Sequence, residues 1–370
     1  MNRVLAIIER DVRKFLRSPT LILVSMFFPL VQLVILGYAF GGKIQNLEVG
    51  VVDQDRALQT VKLREMFGAI AANARTFVTV DYSDLQQALS DLRNGKINAV
   101  LNIPPGFSRR VLSKNIPQVA LIEDNTDNFS VSALQGALVD LLNAFNHGGV
   151  QPRVGADATL SVVEIYPYVP YIQYLLSGSI VLAIFVSAMI GGGIIFIDDK
   201  ARGLHEGYLV TPIRKFELIL GINLSGALKA FLAGLVLTTL GSVIAGIPNP
   251  MDPVRLLKLL LVIATTALAL ISMMFLMMVR VSDPLVPRAT FGVLNTLLYF
   301  PSGAVYPVYG FPKWMRMLSA VDPFTYAVEA FKNLLLKNTT LLAIAGDLTY
   351  LALFTVVMLV LATALFRRTL

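Results

Sequence analysis

Six long apolar segments divide the chain, and each is long enough to cross a lipid bilayer, for which about 20 mostly apolar residues suffice. The six predicted spans cover residues 20–40, 171–197, 217–245, 254–279, 287–305 and 347–366. The first span follows an extended basic leader and lacks a convincing cleavage site, so we interpret it as a retained helix rather than a signal peptide. The pattern predicts a membrane domain of six helices.

The leader, residues 1–19, has the pattern of an amphipathic helix. Its apolar residues at positions 4, 8, 12 and 15 share one helical face, and five basic residues accompany them. We predict a cytoplasmic helix that lies flat in the membrane interface until Pro19 turns the chain into the bilayer.

Between the first two spans, residues 41–170 alternate short strand-like runs with helical patterns. The predicted strands are 47–52, 76–81, 98–103, 118–123 and 160–166, and the predicted helices are 57–72, 83–92 and 129–145. Ser83 is the predicted cap of the second of these helices and Gly95 its stop. Strands interleaved with helices favour an inserted α/β domain, which we interpret as a docking or gating element. Asp53 and Asp55 are interpreted as a solvated turn rather than an ion site.

Composition agrees with a membrane protein and excludes several other classes. Hydrophobic residues make up 55% of the chain and charged residues 15%, whereas soluble domains carry about a quarter charged residues. Of the net charge of +7, residues 41–170 contribute −2 and the remainder +9, mostly at the ends of apolar segments. That distribution is typical of anchoring at a membrane surface and not of nucleic-acid binding. The absence of cysteine excludes thiol chemistry and disulfides.

Orientation follows from the short loops. With a cytoplasmic N-terminus, the inside segments 1–19, 198–216, 280–286 and 367–370 carry five, four, one and two basic residues. The outside loop 246–253 carries none and the outside segment 306–346 carries four. Long domains translocate largely regardless of charge, so residues 41–170 do not contribute to this count. Both termini are predicted to be cytoplasmic and residues 41–170 extracytoplasmic.

No catalytic or nucleotide-binding motif is found along the sequence. The P-loop pattern GxxxxGK[ST] does not occur, and only His147 and His205 are available for a hydrolytic constellation. We therefore predict that the chain is not an enzyme, that it binds no cofactor or metal, and that any energy input comes from a separate subunit.

Two stretches resemble a known family. The first stretch is the loop Asp198-Asp199-Lys200-Ala201-Arg202-Gly203-Leu204-His205-Glu206-Gly207-Tyr208-Leu209-Val210-Thr211-Pro212-Ile213. The second stretch begins with Phe300-Pro301-Ser302-Gly303-Ala304-Val305-Tyr306-Pro307. It continues through Phe311-Pro312-Lys313-Trp314 to Val321-Asp322-Pro323-Phe324. Over nearly its whole length the chain resembles the permease subunit of type-2 ABC exporters. Its layout is similar to the bacterial multidrug-efflux subgroup with a large extracytoplasmic domain after the first span. The implied fold is an all-α six-helix permease domain, residues 171–370 with the first span, carrying the inserted α/β domain.

The resemblance implies that the loop 198–216 forms a coupling helix that docks in a groove of a separate ATPase subunit. The implied contact residues are Arg202, Glu206, Leu209, Thr211 and Pro212. ATP and magnesium would be bound by that partner, present in two copies. The alternative is an ordinary amphipathic loop at a basic membrane edge.

The resemblance also implies a re-entrant outer hairpin over residues 301–336, in which the Pro301-Ser302-Gly303 run breaks the fifth helix. The residues assigned to this outer gate are Pro301, Gly303, Pro307, Trp314, Asp322 and Pro323. Non-helical backbone at membrane depth is tolerated only where protein buries it or a cavity adjoins it. The alternative is a plain outer loop with a tryptophan anchor.

Three residues are candidates for a translocation path: Lys229, Met274 and Asn295. Lys229 lies 12 residues beyond Glu217, about 18 Å along a helix, and so near the middle of the bilayer. An ionisable residue there is a functional candidate, although a buried structural charge is the alternative. The methionines near position 274 could equally be packing residues, and we expect Glu329 to pair with Lys332.

Together these features predict a permease that exports an amphiphilic or hydrophobic compound across the bacterial inner membrane by alternating access. A second permease chain, identical or paralogous, would complete the cavity, and the outer domain could receive a periplasmic adaptor. The first rival hypothesis is a membrane-anchored receptor that binds a ligand through residues 41–170. The second is an intramembrane enzyme, for which Lys229 is the only ionisable candidate at depth. Cargo identity stays open.

Overall fold

The computed structural model describes residues 2–41, 46–74, 77–123, 128–147, 169–194, 197, 199, 203, 213–279, 281, 283 and 285–366. The chain forms two compact units: a helical unit from Met1–Gly41 and Glu164–Leu370, and an α/β unit from Gly42–Val163.

The elements of the helical unit are α1 (Asn2–Leu16), α2 (Pro19–Gly41), α7 (Tyr171–Ala188) with a π-helical turn (Met189–Ile194), α8 (Lys215–Ile244), α9 (Pro253–Met278), α10 (Leu285–Tyr299), α11 (Lys313–Val321), α12 (Pro323–Leu336) and α13 (Ala345–Leu365). The elements of the α/β unit are β1 (Leu47–Asp53), α3 (Leu58–Ala74), β2 (Phe77–Tyr82), α4 (Leu85–Arg93), β3 (Ala99–Ile103), α5 (Phe107–Leu112), β4 (Ala120–Glu123) and α6 (Asn128–His147).

Among the described residues, five helices are long and apolar enough to cross a membrane. They are Pro19–Ala39, Tyr171–Gly191, Phe216–Ile244, Pro253–Met278 and Leu341–Leu365. The remaining predicted span, 287–305, corresponds to α10, which has 15 residues and ends at Tyr299. Beyond Tyr299 the chain turns, and within this turn Gly303 adopts a left-handed φ of +82°, a conformation that glycine permits. The predicted number of six spanning helices is therefore not confirmed.

Helix α7 lies at the centre of the helical unit. It packs against α2, α8, α9 and α12, and small residues allow close approach. A Cβ on Gly178 would lie 2.4 Å from the Cβ of Ala304. A Cβ on Gly37 of α2 would likewise lie 2.6 Å from Ile172. Buried apolar residues of α7, α8, α9 and α12 form one continuous core, since helices in lipid associate through such close packing.

The α/β unit contains a four-stranded sheet in the order β2-β1-β3-β4. Strands β2, β1 and β3 run parallel and β4 is antiparallel to β3. One face packs on α3 and α6, with a core that includes Val49, Phe67, Phe77, Leu101 and Leu138. Strand β1 is buried at five of its seven positions, as expected of a parallel strand that is covered on both faces.

The predictions for the ends and the number of elements in this unit have mixed outcomes. The N-cap of α4 is Asp84, whose carboxylate accepts from the backbone N–H of Gln86, and not Ser83. Gly95 adopts φ +70° immediately after the helix, at the predicted stop. Helix α5 was not predicted, because the Pro104-Pro105-Gly106 sequence that precedes it resembles a turn. The predicted strand 160–166 lies outside the described residues.

Candidate functional site

A buried carboxylate connects the amphipathic helix α1 to the start of the predicted coupling loop. Asp199 is 4% exposed, and its two oxygens accept from Arg10 Nη2 and Lys14 Nζ, each at 2.5 Å. Arg10 also contacts Asp11 at 2.9 Å. We call Asp199, Arg10 and Lys14 the Asp199 clamp. Charge-assisted contacts of this kind are strong where the carboxylate is shielded from water.

Helix α1 is also seated on α8. Ile7 packs on Gly221, where an added Cβ would lie 3.0 Å from the Ile7 Cδ1. Glu217 lies 3.7 Å from Arg3 and accepts from the backbone N–H of Arg214, the N-cap residue of α8, at 2.9 Å. The leader is therefore a packed structural element at this end of the helical unit and not only an interfacial anchor.

Lys229 lies inside the helical unit, where it supports the π-helical turn. Its side chain is 1% exposed, and its Nζ donates to the carbonyl of Gly191 at 2.7 Å. The ammonium also lies 5.9 Å from the centre of the Phe15 ring, within the range of a cation–π interaction. A Cβ on Gly191 would lie 2.8 Å from the Lys229 Cδ, so glycine gives the lysine room. These contacts favour a structural role, which was the alternative to a path-lining one.

The other two path candidates differ in their environment. Met274 is fully buried in the main hydrophobic core. Asn295 of α10 is half-buried, and within the described part of the chain its Oδ1 has no hydrogen-bond partner. The role of both residues in a path stays a prediction. All five proposed ATPase-contact residues, Arg202, Glu206, Leu209, Thr211 and Pro212, lie outside the described residues.

The backbone of the segment predicted to form an outer hairpin is held by polar side chains from neighbouring helices. The Gly303 carbonyl accepts from Tyr174 Oη at 3.1 Å and from Lys332 Nζ at 2.5 Å. Ser319 of α11 donates to the Pro301 carbonyl at 2.6 Å. These bonds satisfy carbonyls that the break after α10 leaves without helical partners, as non-helical backbone away from water requires.

The remaining outer-gate residues serve different purposes. Asp322 caps α12 by accepting from the Phe324 N–H at 2.9 Å, and Pro323 occupies the first helical turn. Trp314 is 65% exposed on α11. Pro307 and Gly303 line one cavity together with Tyr174 and other residues. The predicted gate residues therefore do not meet at a single point.

Two residues at the hairpin, Tyr174 and Lys332, were not predicted as site residues. Within the described residues, Lys332 forms no ion pair with Glu329, and its ammonium lies 3.5 Å from the centre of the Tyr174 ring. The expected Glu329–Lys332 pair is therefore wrong. The available sequence signal was a lysine in a mainly apolar helical pattern after Pro323.

In the α/β unit, the acidic residues after β1 stabilise local backbone. Asp53 Oδ1 accepts from the N–H groups of Asp55 and Arg56 at 3.0 and 2.9 Å. Asp55 accepts from the N–H groups of Gly106 and Ser108 at 2.8 and 3.0 Å, at the start of α5. Hydrogen bonding to Ser108 is the largest cause of a lowered pKa for Asp55. This arrangement agrees with the predicted turn rather than with an ion site.

Replacing Asp55 with alanine is expected to increase amide hydrogen exchange in α5 about fivefold, because loss of a helix cap costs about 1 kcal/mol. The stabilisation by Asp55 should be complete above the ordinary pKa of 3.8 and should be lost as pH falls through the lowered folded-state pKa. Exchange measured by mass spectrometry on the full chain checks this. Asp140→Ala, an exposed change on α6, is the control, and equal exchange in both variants would contradict the role of Asp55.

Comparison with known proteins places the chain in a family. Residues 19–364 match the family described as ABC-2 family transporter protein. At 19% identity the chain is similar to the probable multidrug ABC transporter permease YbhR of Escherichia coli, with 99% of each chain covered. It is 20% identical to the probable multidrug ABC transporter permease YbhS of the same organism, over 95% of this chain and 93% of that one. It is also 23% identical to ABC transporter G family member 20 of Dictyostelium discoideum, over 91% of this chain and 46% of that protein.

The family match includes the two stretches on which the predicted resemblance rests, and it extends from α2 to the last turn of α13. The predicted resemblance to type-2 ABC permeases is confirmed. So is the prediction that the chain is a transport subunit rather than an enzyme, since the relatives are permeases. The chain belongs to the ABC-2 family of membrane transporter proteins.

Proposed function

We propose that this chain is the membrane-spanning permease of an ATP-driven exporter that moves an amphiphilic or hydrophobic compound, drug-like or lipid-like, out of the cytoplasm or inner leaflet. The observation that carries the proposal is the family match over residues 19–364, together with relatives named multidrug permeases. We further propose the bacterial inner membrane as its location, with both termini cytoplasmic and the α/β unit outside.

The energy source in this proposal is a separate ATPase subunit, present in two copies that bind ATP and magnesium. The sequence carries no P-loop of its own. The Asp199 clamp supports the proposed position of the coupling loop, because it ties a residue at the start of that loop to α1. Movement imposed on the loop would thereby be transmitted to α1 and, through Ile7, to α8.

A second permease chain, identical or paralogous, is proposed to complete the transport cavity. The support comes from α10, whose main contact within the described residues is with the π-helical turn. Val293 and Leu297 on this helix are 59% and 54% exposed. A helix so little covered by its own chain needs lipid or a partner on its other faces. The proposal also includes a periplasmic adaptor that binds the α/β unit.

Transport would alternate between two states. Closure of the ATPase subunits on ATP would displace the coupling loops, and the outer hairpins would open toward the outer side. A partner can shift the permease between these states only by the difference between its contacts with them. In this proposal, Glu206 and Leu209 make the contacts with the ATPase subunit that differ between the two states.

Replacing Glu206 with arginine, or Leu209 with aspartate, is expected to abolish ATP-dependent export and to leave the permease folded. Purification of the tagged chain from its own host, followed by measurement of co-purifying ATPase activity and of dye efflux from vesicles, tests both the coupling loop and the proposal. Lys313→Gln, a surface change on α11, serves as the control.

The three results of this experiment have distinct meanings. A stoichiometric soluble ATPase that is lost on either substitution would support the exporter. Recruitment of an ATPase that both variants retain would refute the coupling assignment alone. A monodisperse chain that recruits no ATPase would refute the exporter and favour a receptor that binds ligands through residues 41–170.

A further inference from the structure

A cavity of about 430 Å³ lies beside the outer hairpin. One wall is a face of α12 on which Thr325, Val328, Lys332 and Leu336 follow one another at helical spacing. The opposite wall consists of Tyr174 together with residues 302, 303 and 307–309 of the hairpin. The cavity thus lies between a helix and a turn whose backbone is not helical.

The cavity contains a half-buried cation. Lys332 Nζ contacts the Gly303 carbonyl at 2.5 Å and the face of the Tyr174 ring at 3.5 Å. No carboxylate lies within ion-pair distance of it among the described residues. A carbonyl dipole, a ring quadrupole and the Glu329 carboxylate, which lines the same cavity beyond ion-pair distance, compensate only part of the cost of withdrawing an ammonium from water. An anion in the cavity would supply the rest, and the ammonium has donor capacity left for it.

The remaining lining mixes polar and apolar side chains, and its polar and charged members include Ser302, Glu329, Asn333 and Lys337. Thr325 Oγ1 is buried and has no hydrogen-bond partner within the described part of the chain, so it has a free donor. Val308, Val328 and Leu336 supply an apolar surface next to it. Pockets that bind amphiphilic molecules share this combination of a mainly apolar wall with a few placed polar groups.

We propose that this cavity binds an amphiphile with an anionic head group, such as a carboxylate or a phosphate. Lys332 contacts the anion, and Val328 and Leu336 pack against the apolar part. A bilayer lipid and an exported compound both have this chemistry. Only the identification with an exported compound rests on the proposed function; binding itself requires neither ATP nor an ATPase.

The absence of cysteine from the chain provides a direct probe. Tyr309 lines the cavity and is 84% exposed, so Tyr309→Cys can carry an environment-sensitive fluorophore as the only thiol adduct. The labelled full chain in phosphatidylcholine nanodiscs is titrated with decanoate and, separately, with decanol, and signals from empty nanodiscs are subtracted. We expect a saturable response to decanoate and a response to decanol that is at least about tenfold weaker.

Variants of the labelled chain assign the response to Lys332. Lys332→Gln should weaken decanoate binding at least about tenfold, Lys332→Arg should retain it within about threefold, and Lys313→Gln, which removes the same charge outside the cavity, should not change it. Equal responses to decanoate and decanol, an unchanged Lys332→Gln, or loss of binding in Lys332→Arg as well would overturn the proposal.

A competition experiment distinguishes the two sources of the ligand. Replacing a third of the phosphatidylcholine with phosphatidylglycerol should abolish the decanoate response if the occupant is an anionic lipid and leave it intact if the occupant is another amphiphile. Both results support the site. Because no ATPase is present, failure of this titration leaves the exporter proposal standing, and failure to recruit an ATPase leaves the binding result standing.

Discussion

Replacing Asp199 with lysine is expected to reduce ATP-dependent export to background while the helical unit stays folded. The substitution places a third cation against Arg10 and Lys14 at a position that is 4% exposed. Breaking a buried ion pair costs about 3–5 kcal/mol. Because Arg10 and Lys14 are 42% and 40% exposed and partly screened by solvent, we expect about 2–3 kcal/mol here. Export assays in vesicles, with hydrogen exchange of α1, measure both effects.

The matched control is Glu9→Lys, which makes the same change of charge on α1. Glu9 pairs with Arg13, but both side chains are more than half exposed, so the substitution should change export little. A second test restores the charge pattern. Lys14→Asp combined with Asp199→Lys should recover part of the export that either change alone removes. Equal loss of export in Glu9→Lys would show that the total charge of α1, and not the Asp199 clamp, matters.

Replacing Gly178 with valine is expected to displace the outer hairpin from α7 and to abolish export. Even the first added carbon would lie 2.4 Å from Ala304 Cβ and 3.1 Å from its Cα. The second atom belongs to the backbone, so no side-chain rotation relieves the overlap, and overpacking of this kind costs about 1–3 kcal/mol. The hydrogen bonds from Tyr174 and Lys332 to Gly303 depend on the same seating.

Emission of Trp314, the single tryptophan of the chain, reports on the displaced hairpin, and the thermal midpoint reports on stability. Gly346→Val is the control, because a Cβ at that helical position meets no atom within 4 Å and valine favours a helix more than glycine does. Normal export and unchanged Trp314 emission in Gly178→Val would show that α7 and the hairpin separate without consequence.

Most helices were predictable because their signals are local. The segments 20–40, 217–245 and 254–279 correspond closely to α2, α8 and α9, since length and apolar composition decide whether a helix can lie in lipid. Strand β1 and helix α3 were predicted from equally local signals, because a strand-like run ends at the Asp53 turn and a helical pattern follows it. Segment 287–305 was predicted too long because its composition stays mainly apolar up to position 305; the helix ends at Tyr299, just before the Pro301-Ser302-Gly303 run that was expected to break it.

The site was less predictable because it depends on contacts between distant parts of the chain. Asp199 entered the sequence analysis only as part of the loop that resembles a known family, and nothing local indicates that Arg10 and Lys14, 189 and 185 residues away, contact it. The spacing of Glu329 and Lys332 favoured a pair along one helix. The tertiary approach of Gly303 offered Lys332 a carbonyl instead. The sequence therefore indicated where these charged residues lie along the helices, but not which distant residues they contact.

The central position of α7 has a consequence for how the protein can diverge. In the most apolar stretch of this helix, 89% of the residues are buried, against 22% in α2 and 17% in the last spanning helix. A side chain that faces lipid need only be apolar, whereas one enclosed on all sides must also match its neighbours in volume. Random mutagenesis followed by selection for export should therefore tolerate exchanges among leucine, valine and phenylalanine at Val356 and Val360, which are 56% and 62% exposed, and reject them at Ile180 and Ile184.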